Sequence, residues 1–216
     1  MMRTPRRGPL PRTVASVLLA LSMATATTPT MAIEEPDFTI VRTIEDIEIR
    51  DYAPFTVAEV EVPGTADEAG GKAFPILAGY IFGKNRGERK FAMTAPVVQT
   101  EVPVRMAMTA PVTQAAVPGG HLVQFVLPKG VTAESAPEPT DPRVHVHAVP
   151  ARRFGVIRYS GLWSEANYAE HLRRLESVLA SAGLPAIGKP VFSRYDAPFT
   201  PWFMRRNEIW IPLAMP

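Results

Sequence analysis

The sequence predicts an α+β fold in which duplicated β-β-α-β-β units form one antiparallel sheet or distorted barrel with two main helices. Three observations lead there. Segments that alternate apolar and polar residues occur in both halves of the chain. Each half carries one helix-length segment after its second strand. The halves also share Gly-x-x-x-Glu-Ala at that junction: Gly64/Glu68/Ala69 in "VPGTADEA" and Gly161/Glu165/Ala166 in "YSGLWSEA".

The elements follow in order. Residues 1–32 read as a signal peptide. Arg3, Arg6, Arg7 and Arg12 make a basic start without an acid, Val14 to Ala26 is apolar, and Thr30-Met31-Ala32 offers a cleavage site. The apolar run is shorter than the roughly 20 residues that span a bilayer. The protein is therefore expected to be exported, periplasmic or extracellular, with no stable membrane insertion once the signal is removed. Arg6-Arg7 hints at a twin-arginine signal, and Pro9 and Pro11 fit that pattern poorly. The whole chain has net charge +2; the first 32 residues contribute four arginines, so the remainder carries −2. That balance does not suggest a nucleic-acid partner. With zero Cys, disulfides, thiolate ligands and a Cys nucleophile are excluded.

Residues 33–216 read as a single domain, with pseudo-repeats at about 38–127 and 143–213 and a Pro-rich linker at 128–142. "IEIRDY" and "PFTVAEVEVPG" are strands, and a change of apolar phase near Ala58 suggests a bulge. Thr65 and Glu68 form a capping box opening a helix that runs towards Phe82 and ends at Gly83. Pro75 predicts a kink or break near Lys72 to Phe74. In the second half, "RVHVHAV" and "RRFGVIRYSG" are strands. Ser164 caps a helix from Glu165 to Ala182 whose stripe is Tyr168, Leu172, Leu175 and Leu179, and Gly183 ends it. "KPVFSRYD" and "NEIWIPL" close the sheet.

Ala-Met-Thr-Ala-Pro-Val occurs twice between Phe91 and Gln114, with Met93 and Met108 fifteen residues apart. Each copy reads as a β-like segment whose proline flanks its strand, the two joined by a hairpin or flap near "TEVPV". The methionines suit core packing, the favoured reading, or the lining of an irregular pocket.

These blocks carry a resemblance. "APFTVAEVEVPG", "AFPILAGYIFGKN", both copies of "MTAPV", "GLWSEANY" and above all "YDAPFTPWFMRRNEIWIPL" resemble the SOUL family of haem-binding proteins over about Phe38 to Leu213. The doubled motif is similar to the bacterial form. The resemblance implies a GyrI-like effector-binding architecture and a tetrapyrrole ligand, haem or a related porphyrin, held by apolar contacts. Its groove would involve Phe74, Leu77, Ala78 and Ile81 on the first helix, with Met93 and Met108 as further lining and Phe199 and Trp202 of "PFTPWF" nearby. The basic residues that animal members direct at the propionates fall here at Gly71, Gly79 and Thr200. Lys72, Lys84, Arg205 and Arg206 are the available substitutes.

Other candidates are weaker. His145 and His147 share a strand face and are read as solvent-facing, as is His171; His121 is the best-placed histidine but reads as a strand end. Tyr80 reads as core. Glu208 is either a contact for a cationic ligand or, preferably, a salt-bridge partner of Arg205, Arg206 or Arg158. No nucleophile elbow, zinc motif, phosphate loop or dinucleotide fingerprint is present, so no enzyme is expected. The functional expectation is binding of haem or another porphyrin as carrier, buffer or sensor. The alternatives are a GyrI-like pocket for another amphipathic or cationic molecule, or an enzyme acting on haem or a small substrate.

Overall fold

The computed structural model describes residues 34–87, 103–197 and 199–215. The signal segment, Met93, the first Ala-Met-Thr-Ala-Pro-Val copy and residues 100–102 of the turn expected after it lie outside those residues. The strands are β1 (Phe38–Ile44), β2 (Ile47–Tyr52), β3 (Phe55–Pro63), β4 (Asn85–Arg86), β5 (Val112–Val117), β6 (Gly120–Val126), β7 (Glu138–Pro139), β8 (His145–Val149), β9 (Arg152–Tyr159), β10 (Val191–Arg194) and β11 (Asn207–Leu213). The helices are α1 (Ala66–Ile81) and α2 (Glu165–Ser181).

Nine strands form one antiparallel sheet in the order β1-β2-β9-β11-β10-β5-β6-β3-β8. Leaving out β1, this order is a palindrome under exchange of the halves: β2, β3, β5 and β6 match β8, β9, β10 and β11. Each half lends its first strand to the other, since β2 pairs with β9 and β8 with β3. The pseudo-twofold axis passes between β10 and β5, the central pair. Gly64 and Gly161 occupy matching junctions before α1 and α2, both with positive φ, at 110° and 117°.

The two helices cover one face. α1 packs on β3, β5 and β6 and buries Ala69, Ala73, Leu77 and Ile81 against Val60, Val62, Val123 and Phe125. α2 packs on β9 and β11 and buries Leu175, Val178 and Leu179 against Ile157, Ile209 and Ile211. A side chain at Gly155 would come within 2.8 Å of Leu179, so the glycine sets how closely α2 lies on β9. The other face carries an aromatic cluster of Tyr52, Phe154 and Trp210, with Val156. Among the described residues no helix is long and apolar enough to cross a membrane.

Several local expectations need correction. β3 keeps continuous register with both neighbours, so Ala58 is no bulge. The phase change arises because Thr56, Val57 and Ala58 are all buried, where the strand is covered on both sides. The irregularity lies instead in β1, between Ile40 and Arg42. α1 runs unbroken through Pro75; the carbonyl that the ring would crowd belongs to Gly71, a residue of unusual backbone freedom. Half of the first capping box forms: Glu68 accepts from the Thr65 backbone N–H, while the Thr65 side chain makes no cap bond. The Ser164 cap on α2 is present, accepting from the Asn167 N–H. Residues 128–142 are not a free connector. Ala136 is fully buried in the α1 core, and β7 pairs with β4. In the second copy of the repeat, β5 begins directly after Pro111, as a flanking proline requires.

Candidate functional site

The groove expected along α1 does not exist as drawn. Leu77, Ala78 and Ile81 are core residues that hold the helix on the sheet. Phe74 is on the same helical face by spacing (i, i+3, i+4, i+7) but at the edge of the packing, 47 % exposed, with its ring 5.6 Å from that of Phe125. Met108 is partly buried against the same core. Tyr80 is buried and donates its hydroxyl to the Pro137 carbonyl at 2.9 Å, as a core tyrosine would.

Phe199 and Trp202 are placed very differently from the α1 residues. Phe199 is 89 % exposed, and Trp202, Phe203 and Met204 are also exposed, on a loop ending in a single 3-10 turn. The Gly161 N–H donates to the Trp202 carbonyl at 3.0 Å, which fixes this loop beside the start of α2, where Leu162 is exposed as well. Five large apolar side chains thus face solvent around one junction, an arrangement that marks an interaction surface.

Next to it stands a stack of cations and rings. The Arg205 guanidinium lies 4.4 Å from the Trp163 ring centre, and that of Arg194 lies 4.7 Å from both Trp163 and Phe192. Arg205 also donates to the Thr200 carbonyl at 2.8 Å, and the Trp163 N–H donates to Asn207 Oδ1 at 2.7 Å. The register puts Arg194, Val112 and Phe125 in one row across the helix-bearing face. Phe74, resting on Phe125, is the far end of that row.

Arg194 also belongs to a cleft of about 590 Å³ between the N-terminal parts of α1 and α2, over the central strands. Its floor is Gln114, Phe192 and Arg194, and its walls include Trp163, Tyr168 and Leu172. Gln114 ties the start of α1 to β5 by donating to the Ala66 carbonyl at 2.9 Å. A Cβ on Gly70 would meet Arg194 Nη1 at 2.9 Å, so the glycine leaves the guanidinium room against α1. Burial lowers the pKa of Arg194, with Asp67 acting in the opposite sense.

Arg206 and Glu208 are engaged elsewhere. Glu208 is fully buried on the opposite face of the sheet. It accepts from Arg50 Nη1 and Nη2 at 3.0 and 3.2 Å, from Arg206 Nε and Nη2 at 3.1 and 2.9 Å, from the Tyr195 hydroxyl at 2.7 Å and from the Trp210 N–H at 2.8 Å. Six donors saturate a carboxylate. Glu208 is therefore no contact for a cationic ligand, and Arg206, also bound to Glu35 at 2.7 Å, is no propionate partner. The salt-bridge reading of Glu208 holds with Arg206; Arg50, its other partner, was not foreseen.

The histidines are peripheral. His145 is exposed, and His147 is 3.5 Å from Glu59. His171 stacks on Tyr159 at 4.1 Å, and His121, on the rim of the cleft, lies 3.2 Å from the Gly64 carbonyl. Among the described residues no group of three His, Asp or Glu side chains is placed to hold a metal ion.

The sequence reading missed Arg194, Trp163 and Gln114. Arg194 had a signal: it shares strand parity with Phe192, which marks an arginine on the apolar face.

Comparison with known proteins agrees with this architecture. A family model described as SOUL heme-binding protein matches residues 33–212. Heme-binding protein 1 of Xenopus tropicalis is 29 % identical over 164 residues, covering 76 % of this chain and 81 % of that protein. The C-terminal domain of EcmrR superposes with a TM-score of 0.55 at 12 % identity, covering 79 % of this chain and 98 % of the other. A protein from Listeria innocua described as a hydrolase gives a TM-score of 0.55 at 14 % identity, covering 81 % and 94 %. At such identities the structural likeness concerns the fold alone.

Proposed function

The chain belongs to the SOUL haem-binding family, and from that premise we propose that it binds haem or a related tetrapyrrole as a carrier, buffer or sensor. The observation that supports this reading is the pairing of an exposed aromatic loop with adjacent guanidinium groups. Haem is a flat apolar macrocycle with two carboxylates on one edge. Phe199, Trp202 and Phe203 offer it apolar area, and Arg205 and Arg194 offer charge beside that area. Burying on the order of 400 Å² at ~25 cal/mol per Å² contributes about 10 kcal/mol before association costs, sufficient for micromolar binding without an axial bond.

A haemin titration followed by Soret absorbance tests this. The expected result is saturation at one equivalent, comparable binding of iron-free protoporphyrin, and weaker binding by Trp202→Ala. Absence of a saturable change at tens of micromolar would remove the haem reading and leave the family membership to account for the fold alone.

The same proposal places the protein outside the cytoplasm. Expression with residues 1–32 present is expected to yield a secreted product whose first residue is Ile33, read by intact mass. Recovery of the uncleaved chain in the cytosolic fraction would contradict it.

A further inference from the structure

Arg194 raises a question that apolar binding of a macrocycle does not answer. Its Nε is buried without a hydrogen-bond partner, and among the described residues its guanidinium makes no hydrogen bond or ion pair. It is held only by the rings of Trp163 and Phe192. Desolvating a cation without an anion costs stability, and nothing in the surrounding packing requires it there. The charged neighbours do not neutralise it. Asp67 and Glu165 are exposed on the cleft wall, Arg205 adds positive charge across Trp163, and Lys189 lies on the rim with its ammonium 3.3 Å from the Ala116 carbonyl.

We infer that the cleft between α1 and α2 receives the carboxylate edge of the tetrapyrrole, with Arg194 as its anion partner and Trp163 and Phe192 holding the guanidinium plane. This rests on the tetrapyrrole reading above and moves the anionic end of that ligand away from the outer surface of α1. A guanidinium clamped between two rings presents a fixed planar fork, which matches a carboxylate bidentately. The cleft is of ligand-binding size. Its opening towards Trp163 adjoins the loop bearing Phe199 and Trp202, so one flat molecule can cover the loop and insert its acidic edge. Arg194 thereby supplies the anion contact from the sheet, on β10, and not from α1 or the closing loop.

The test compares haemin with haemin dimethyl ester, which keeps the macrocycle and iron and removes both carboxylates. Arg194→Gln is expected to weaken haemin binding between about 10-fold and 100-fold and to leave the ester unchanged. Arg194→Lys, which keeps the charge and loses the fork, should fall between. Ligand-free Arg194→Gln should melt no lower than the wild type, because it removes an uncompensated cation. Equal binding of haemin and ester by the wild type, or wild-type haemin affinity in Arg194→Gln, would overturn the assignment of the carboxylate end while leaving tetrapyrrole binding intact. Failure of the wild type to bind haemin at all would overturn both.

Discussion

Glu208→Gln is expected to destabilise the protein by about 3–5 kcal/mol, measured by urea denaturation. The carboxylate is fully buried and receives six hydrogen bonds from Arg50, Arg206, Tyr195 and Trp210. Glutamine preserves the volume, removes the anion and turns one acceptor into a donor that faces other donors. Arg50, itself buried, would keep Glu48 as its one anionic partner, at 2.7 Å and partly exposed, beside a hydrogen bond to the Tyr52 hydroxyl at 3.0 Å. Arg206 would keep Glu35. A loss of this size is a large part of the stability of a typical domain.

The same cluster makes a pH prediction. Burial pushes the Glu208 carboxyl up, but Arg50, then Arg206, and the Trp210 N–H outweigh it and hold the group below the ordinary carboxylate range. A depressed folded-state value means the stabilisation is complete above the unfolded value of about 4.3 and is lost as pH falls through the folded value. The wild type should therefore lose stability on the acid side below about pH 4, and Glu208→Gln should lack that contribution. A variant as stable as the wild type, with the same acid slope, would show that the cluster does not hold the sheet together.

Leu77→Asp is expected to prevent folding outright. Leu77 is fully buried between α1 and the sheet, among Ala73, Ile81, Val60 and Val123. Truncating such a leucine costs about 2–5 kcal/mol, and placing a carboxylate there adds a desolvation cost of several kcal/mol more. The sum is of the order of the total stability of a domain. Circular dichroism and solubility report it directly. Phe74→Ala, at the half-exposed edge of the same face, should leave the fold intact. A folded Leu77→Asp protein defective only in haemin binding would instead make Leu77 part of a groove.

These two positions also show what was legible in the sequence. Alternation in "IEIRDY" identified β2 and both of its faces. It could not say that the polar face is covered: Arg50 is buried because its partner Glu208, 158 residues away, lies across β9 on the same face. Periodicity reports that two faces differ and carries no record of such distant pairing. In α1 the buried positions 73, 77, 78, 80 and 81 follow the helical period, and Phe74 lies on the edge of that face. The groove drawn from family resemblance grouped Phe74 with Leu77, Ala78 and Ile81, which spacing also places on one face; that spacing does not report that the sheet covers the last three and leaves Phe74 half exposed. Proline at 75 argued for a broken helix, and glycine at 71 and the packing of the flanking turns outweighed it. The duplicated architecture was readable because both junctions repeat a glycine before a helix. The cleft was not, since it forms only where β10 of one half meets β5 of the other.

The most direct test of tetrapyrrole binding at this surface is an amide-resolved NMR titration with haemin. Paramagnetic haem broadens the resonances of nearby amides and so reports binding and location together. The expected result is selective broadening at Gly161 to Ser164, at Phe192 to Arg194 and along Phe199 to Arg205, with the amides of β1, four strands from β10, unaffected. Broadening confined to other surfaces, or a spectrum unchanged at saturating haemin, would contradict it.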